Sequence, residues 1–541
     1  MSVQIDCDVT VRLRAPFLFP GLSLNGWGYD ATALRDAQGH PLLPADQIKG
    51  VLRAALAGML ADAGKPLTAL EAIFGQPGPD QANLRGALVF SDLRAEGLST
   101  AGTPSTRVEI DDKTPDAPGT VREGHLVVTE LVAPPGAEVQ FVGNIYGHAE
   151  TEAQAVEWIT LLRAAATHIS AIGSMKSAGF GEVVSVDLSR PKMVALSAAP
   201  VAPPAGRVAV ALAFDRPFLV DAQRVADNVV ASSETVPGGV IKGALAAALR
   251  ALGHRPEEDA DFSALSIAHA VPEGASRTVL PLSWVWLPDE ARFADVLTDP
   301  GLARGEKQFV TRPDWKTAQL EDAEKRRGVK RADLSLSDRA HVRIDPETGA
   351  AVDQALFFTT LVDPGQTRWL TEIDFGAIPA SQQALYWGTL VAGLDRLGST
   401  GARATVQVLG AAPAPAPVVA GDWLVVLETE AVLGDPAEGP PAEVYGAYWR
   451  DVAGAEMTGF MAAQDLRGDY LGMRGAGVYR PHFVTLPGSA FRLRVTDPAR
   501  LAELVRRGLP PRLGKTRPGW QDCPFQPENG WGRISIEKVG A

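Results

Sequence analysis

The strongest constraint on this chain is that part of it occurs twice. The stretch LPADQIKGVLRAAL at residues 43–56 aligns without gaps on VPGGVIKGALAAAL at 236–249, with 8 of 14 positions identical. Farther along, RVEIDDKT from Arg107 resembles HVRIDPET from His341, LVAPPGAEV resembles LVDPGQTRW, and HISAIGSMKSAGFGEV corresponds to GLDRLGSTGARATVQV. Similar apolar spacing would follow from any two like helices. The same Pro, Ile-Lys-Gly and Val-x-Ile-Asp in the same order points to a duplicated supersecondary unit.

Two Pro/Ala segments, SAAPVAPPAGR at 197–207 and GAAPAPAPVVAG at 410–421, favour extended chain and cannot continue a helix. They divide the sequence into parts 1–196, 207–409 and 421–541. In the first, apolar residues alternate at Val3, Ile5, Cys7, Val9, Val11 and Leu13, which predicts a half-buried strand. IKGVLRAALAGMLADAG then sets Ile48, Leu52, Ala55, Met59 and Leu60 on one helical face. GALVFSDL and HLVVTELVAPPGAEVQFVGNIYG predict strands, the latter as a hairpin around APPGAE. ETEAQAVEWITLLRAAATHI predicts a second helix, and SMKSAGFGEVVSVDL a glycine loop feeding a last strand. This order, βα, several β, then αβ, is that of an α+β ferredoxin-like sandwich with an inserted hairpin, repeated in tandem in the second part. That second part carries a long charged insertion, 289–340. The third part ends in ENGWGRISIE, which mirrors SAGFGEVVSV, and is expected to be half a unit with a basic tail.

Composition narrows the chemistry. No apolar run approaches the ~20 residues of a membrane span, and MSVQIDCDVTV has neither the basic start nor the apolar block of a signal peptide, so a cytoplasmic protein is expected. Two cysteines, Cys7 and Cys523, with no HxH or HExxH pairing, exclude a disulfide framework and a four-thiolate zinc site. Any metal would be held by carboxylates and substrate phosphates. The net charge of −13 argues at first against a polyanionic partner. Residues 467–541, however, carry 13 Lys plus Arg against 6 Asp plus Glu, a net of +7, which leaves −20 on the rest. Local patches rather than the sum decide such binding.

A glycine inside a helix costs up to ~1 kcal/mol relative to alanine, so Ile48-Lys49-Gly50 suggests that something approaches the backbone there. The lysine suggests that the visitor is anionic. Helix-entrance amides at this point, with Lys49 and Arg53 nearby, would offer donors and positive charge to a phosphate. The GSMKSAGFG loop with Lys176 offers a second set. Such contacts position a nucleic acid without reading its sequence. The plainer alternatives are a glycine packing its helix on the sheet and a solvated lysine, and recurrence as Lys242-Gly243 weighs against both. Two basic runs, EKRRGVKR at 324–331 and RLGKTR at 512–517, are contacts to a polyanion or solvated loops. Trp520 and Trp531 stack on bases or pack in a core.

Together these motifs resemble the repeat-associated mysterious protein (RAMP) superfamily, the ferredoxin-like subunits of CRISPR RNA-guided effector complexes. The first part is most similar to the backbone subunit of type III complexes. That family's aspartate, short strand, PGSSLKG and helix stand here as Asp30, ATALRD and GHPLLPADQIKGVLR, its later Arg-Val…Ile-Asp motif as TRVEIDDKT, and its glycine-rich loop as IGSMKSAGFGEV. Residues 207–541 look like a second member, closer to the two-lobed subunit of the type III-D branch. The resemblance implies guide crRNA and target RNA as partners, other subunits of the complex beside it, and endoribonuclease cleavage of target RNA. Asp30 would be the catalytic residue, with a divalent ion such as Mg2+ and no dedicated metal motif. It also implies RNA contacts at Lys49, Gly50, Arg53, Arg107, Lys113, Gly173, Lys176, Gly179, Gly181, Lys242 and Gly243, and a thumb at the VAPPGAEV hairpin that splays a base pair. Asp36, in DAQG, reads as a turn former. The gapless offset sets Gln223 opposite Asp30, so the second unit is expected not to cut, with Asp227 the weaker carboxylate candidate and Asp221 on the other flank. Two alternatives stand beside this one: a catalytically silent RNA-binding subunit of the same complex, and a guide-processing endoribonuclease drawing on His125 or His341.

Overall fold

The computed structural model describes residues 2–21, 28–76, 85–95, 97–98, 102–111, 120–197, 199–344, 351–376, 378–468, 481–514 and 518–540. Among them, three antiparallel sheets share one plan. The first part runs β1 (Val3–Arg14), α1 (Ala45–Asp62), β2 (Leu88–Phe90), β3 (Leu93–Ala95), β4 (Thr103–Asp111), β5 (Thr120–Leu131), β6 (Glu138–Ala149), α2 (Glu152–Ala166) and β7 (Glu182–Leu188). Its sheet is ordered β7-β1-β6-β3, with β2 also on β6, so the first strand lies between the last and the third. β1 alternates buried and outward residues as its sequence predicts, and Ile5, Val11 and Leu13 share one core with Leu52 and Leu56 of α1 and Trp158 and Leu162 of α2.

The second part repeats the plan with β8 (Arg207–Phe214), β9 (Gln223–Ala226), β10 (Val229–Ala231), α3 (Gly238–Ala251), β11 (Ser266–Ile267), β12 (Ser335–Ile344), β13 (Ala351–Asp363), β14 (Arg368–Asp374), α4 (Ala380–Val391) and β15 (Ala402–Ala411). Its sheet order is β11-β14-β8-β15. The third part has β16 (Gly421–Leu427), α5 (Pro441–Ala453), β17 (Ala455–Met461), β18 (Gln464–Arg467), β19 (His482–Thr485), β20 (Ala490–Val495), α6 (Pro498–Arg507) and β21 (Ile534–Lys538), with sheet order β17-β20-β16-β21. The expectation of half a unit is therefore corrected: 421–541 holds all four sheet strands and both helices. The mirrored Gly-aromatic-Gly ending marked only its last strand, and the rest of the unit has too little sequence likeness to show as a repeat. Each part closes its own core, the second around Phe218, Leu245 and Trp369, the third around Tyr448, Trp449 and Phe491.

In every unit a two-stranded ladder is inserted between the second and third sheet strands: β4/β5, β12/β13 and β18/β19. This corrects the expected hairpin around APPGAE. β5 pairs with β4, not β6, because Pro134 and Pro135 cannot donate to a ladder and turn the chain out of one sheet into the other. The bend is fixed from inside, with Val132 and Ala133 buried, Gly136 N–H donating to Ala15 O and Ala15 N–H to Ala137 O, both at 2.8 Å.

The first two units touch through polar contacts, whereas the third meets the second through both ion pairs and an apolar cluster of Leu424, Val426 and Ala490 with Val279 and Leu297. Arg403 of the second lies 3.7 Å from the ring centre of Tyr146 in the first and pairs with Asp6 at 2.6 Å, while Tyr146 Oη donates to Gly401 O. Arg506 of the third pairs with Asp374 of the second. No helix among the described residues is long and apolar enough to cross a membrane.

Candidate nucleic-acid interface

Asp30 is exposed, in the loop between β1 and α1, and that loop is laid on β5. Asp30 N–H donates to Val128 O at 2.8 Å, Val128 N–H returns to Asp30 Oδ2 at 2.6 Å, and Ala31 forms a parallel bridge with Thr129. One carboxylate oxygen is thus spent on aiming the group, and Oδ1 has no partner among the described residues. Arg107 on β4, opposite Val127, sends its guanidinium to Met175 Sδ at 3.4 Å, which brings the loop of exposed Lys176 to the same ladder. Lys113 lies outside the described residues.

α1 begins at Ala45, capped by Pro44, three residues before the expected start. The amides of Ile48-Lys49-Gly50 are therefore spent inside the helix, Ile48 N–H on Pro44 O, and Ala45 N–H goes to Asp92 Oδ1 at 2.8 Å. The expected backbone donors are not there, and the side chains of Lys49 and Arg53 remain. Burial pulls the Lys49 ammonium below its usual range, Asp46 pushes it back up, and Arg53 and Arg85 lower it again, so three cations gather on this face of an acidic chain. A Cβ on exposed Gly50 would meet nothing within 4 Å, so the protein's own packing does not demand this glycine.

The other glycines divide. Gly181 is closed by the protein itself: with φ +74°, a Cβ there would sit 1.9 Å from Ile172 O. At Gly173 a Cβ would sit 2.8 Å from Leu18 O. Both were expected to face RNA; Gly181 instead closes the loop on itself at Ile172, and Gly173 sets it against Leu18 in the segment that follows β1. Gly179 has open space around it.

Lys242 is the clearest correction. It is buried, donates from Nζ to Ser263 O at 2.9 Å and Leu265 O at 2.7 Å, and lies 5.5 Å from the ring centre of Phe262. Burial lowers its pKa to about 8. The repeated lysine is a fastener in the second unit, not a phosphate contact, although Gly243 beside it is exposed and open.

The counterpart of Asp30 is also corrected. β10 runs parallel to β13 with Val230 opposite Thr359, as Ala31 stands opposite Thr129 in the first unit. The LVAPPGAEV and LVDPGQTRW repeats set Thr129 on Thr359, so Ala31 corresponds to Val230 and Asp30 to Val229. Gln223 loses that place because the loop is longer and folds into the β9–β10 hairpin, which a gapless offset cannot register. Asp227 sits fully exposed in the turn of that hairpin, its carbonyl accepting from Arg224 Nη2 at 2.6 Å.

The second unit's ladder also reaches the first unit's site. β12 packs on Pro20–Gly21, which pairs with Thr32–Ala33 just beyond Asp30. Arg339 pairs with Asp92 at 2.7 Å, and His341 holds Thr359 Oγ1 at 2.9 Å through Nε2 and Asp46 at 3.4 Å through Nδ1. Both His341 nitrogens are engaged, and the side chain of His125 lies outside the described residues. Much of the basic run 324–331 is spent internally: Arg326 on Asp322, Arg331 on Glu324, and Arg327 on Glu537 and over Trp284. Arg512 reaches Asp451 at 3.3 Å, and residues 515–517 lie outside the described residues. Trp531 packs edge-on against His269 and Phe525, whereas Trp520 is exposed.

Residues 18–184 match the family model of the RAMP superfamily. A chain of the cryo-EM structure of the type III-B Cmr-beta bound to cognate target RNA is similar at 20% identity, with 36% of this chain and 61% of that chain covered and a TM-score of 0.26. The alignment thus spans about three fifths of that chain's length. No curated protein matches. Glu130, within residues 18–184, escaped the sequence reading. It is 8% exposed, and its carboxylate accepts from Ala33 N–H at 2.8 Å and pairs with Arg35 at 2.5 Å. Its signal was a lone charge inside the apolar strand LVVTELV, a placement that demands a partner. Among the described residues no three His, Cys, Asp or Glu side chains converge as a metal cage.

Proposed function

We propose that this protein is a subunit of a type III CRISPR effector ribonucleoprotein that holds guide crRNA and cleaves the complementary target RNA through Asp30. In this reading 1–196, 207–409 and 421–541 are three ferredoxin-like RAMP units, and the β4/β5 and β12/β13 ladders are their thumbs. The observation that carries it is the placement of Asp30: a loop carboxylate fixed by Val128 N–H at the base of the β4/β5 ladder, with Arg107 and Lys176 on that ladder's flank, in the segment that matches the RAMP superfamily. Lys49, Arg53 and Arg85 supply the positive charge that draws a phosphate backbone to an acidic unit.

Cleavage by attack of a ribose 2′-hydroxyl requires removal of its proton and stabilisation of charge on the phosphate. Asp30 takes the proton or lends Oδ1 to a divalent ion. Mg2+, which keeps water and phosphate ligands and needs few protein oxygens, suits a site where, among the described residues, Asp30 Oδ1 is unpaired and no cage of carboxylates converges. When bound, it neutralises phosphate charge. The second unit, with Val229 at the corresponding place, binds without cutting.

The test is Asp30→Ala in the full chain, assembled with guide RNA and its neighbouring subunits. Guide-directed cuts assigned to this unit disappear while RNA affinity stays within about twofold, as for loss of a group that acts in the chemical step. Unchanged cutting at every position would leave a silent RNA-binding subunit.

A further inference from the structure

We infer that Glu130 and Arg35 are positioning residues for Asp30: a buried carboxylate paired with a half-buried guanidinium that buckles the Asp30 loop onto β5 and so sets where its carboxylate points. The inference rests on the reading of Asp30 as the cutting group and adds the device that aims it. A buried carboxylate is costly unless its oxygens are occupied. Here Oε2 takes Ala33 N–H, Oε1 takes Arg35, and Arg35 also donates to Gly39 O at 2.8 Å. The loop is consequently pinned at Asp30, Ala31, Ala33 and Arg35, with Glu130 N–H on Ala31 O at 3.0 Å.

Room for the pair is made by Gly102, where a Cβ would sit 2.2 Å from Glu130 Oε1 and 2.3 Å from its Cγ. The second unit has neither half of the arrangement. Thr360 stands in Glu130's register and its hydroxyl donates to Asp338 at 2.6 Å, Val229 stands in that of Asp30, and the loop is tied down by the β10–β13 ladder instead. The aimed carboxylate and its buckle occur together in one unit and are missing together in the other.

Two variants in the full chain, assembled with guide RNA and neighbours, test this. Glu130→Gln turns an amide NH2 or a weaker acceptor toward Arg35, and Gly102→Ala displaces the Glu130 carboxylate without altering either partner. Single-turnover cleavage is expected to fall roughly 10- to 100-fold in both, the cost of misplacing a reacting group by about 1 Å. RNA affinity stays within about twofold. Hydrogen exchange at the Val128 amide, held by Asp30, accelerates. If both variants cut at the parental rate while Asp30→Ala does not cut, the inference is overturned and the role of Asp30 stands. If Asp30→Ala cuts normally, the reading of Asp30 fails, and the exchange rate decides the buckle: acceleration supports it, unchanged protection overturns it.

Discussion

At Gly50 and Lys242 one repeated tripeptide has two physical fates. Gly50 is exposed with open space beyond its Cα, so Gly50→Ala should stabilise α1 by about 0.5–1 kcal/mol, the usual gain for this change in a helix interior. It should also weaken RNA binding if a phosphate backbone passes there; chemical denaturation and a filter-binding titration measure the two opposed effects. Lys242 is buried, with a folded-state pKa lowered to about 8 from 10.5. Between these values the unfolded chain holds a proton that the folded chain has released, so stability rises with pH across that window. A urea-midpoint series from pH 7.5 to 10.5 should show the rise in the parent and a shallower one in Lys242→Met. The sequence showed that the lysine recurs. It could not show which copy faces outward, because that depends on whether the segment around Ser263 and Leu265 closes over the helix.

For the elements, helices and sheet strands were legible and the connections were not. β1 and α2 follow their apolar periods, and α2 opens on Thr151, whose hydroxyl accepts from Gln154 N–H. The inserted ladder was placed around the wrong turn, since strand propensity marks β5 without saying whether β4 or β6 is its partner. Register decides function here. Because β10 sets Val229 in the place of Asp30 and leaves Asp227 in an exposed turn, Asp227→Ala should leave every cleavage product unchanged; a gel of target fragments beside the Asp30→Ala pattern measures this. Loss of any band in Asp227→Ala would restore the second unit as a cutting unit.

Over the whole molecule, three principal cores, with polar contacts between the first two units and an apolar cluster between the second and third, predict unfolding in more than one step. Arg403→Ala removes both the pairing with Asp6 and the contact with the Tyr146 ring, at a cost of about 2–3 kcal/mol for a partly buried charge and its cation–π partner. Calorimetry should show the transition of the first unit moving down more than that of the second and third, which an apolar cluster joins. A single transition shifted as a whole would mean that the units melt together.

The sequence by itself determined the unit: its period, its apolar faces, its Pro/Ala linkers and its duplication all follow from local spacing that each segment carries alone. Only the tertiary structure decided which strands pair, that the last part is a complete unit, that Lys242 is interior, and that Glu130 and Arg35 meet at the Asp30 loop. Those outcomes are set by contacts between residues from about twenty to about a hundred positions apart, from Lys242 with Ser263 to Arg35 with Glu130, where register and burial are properties of the packed whole.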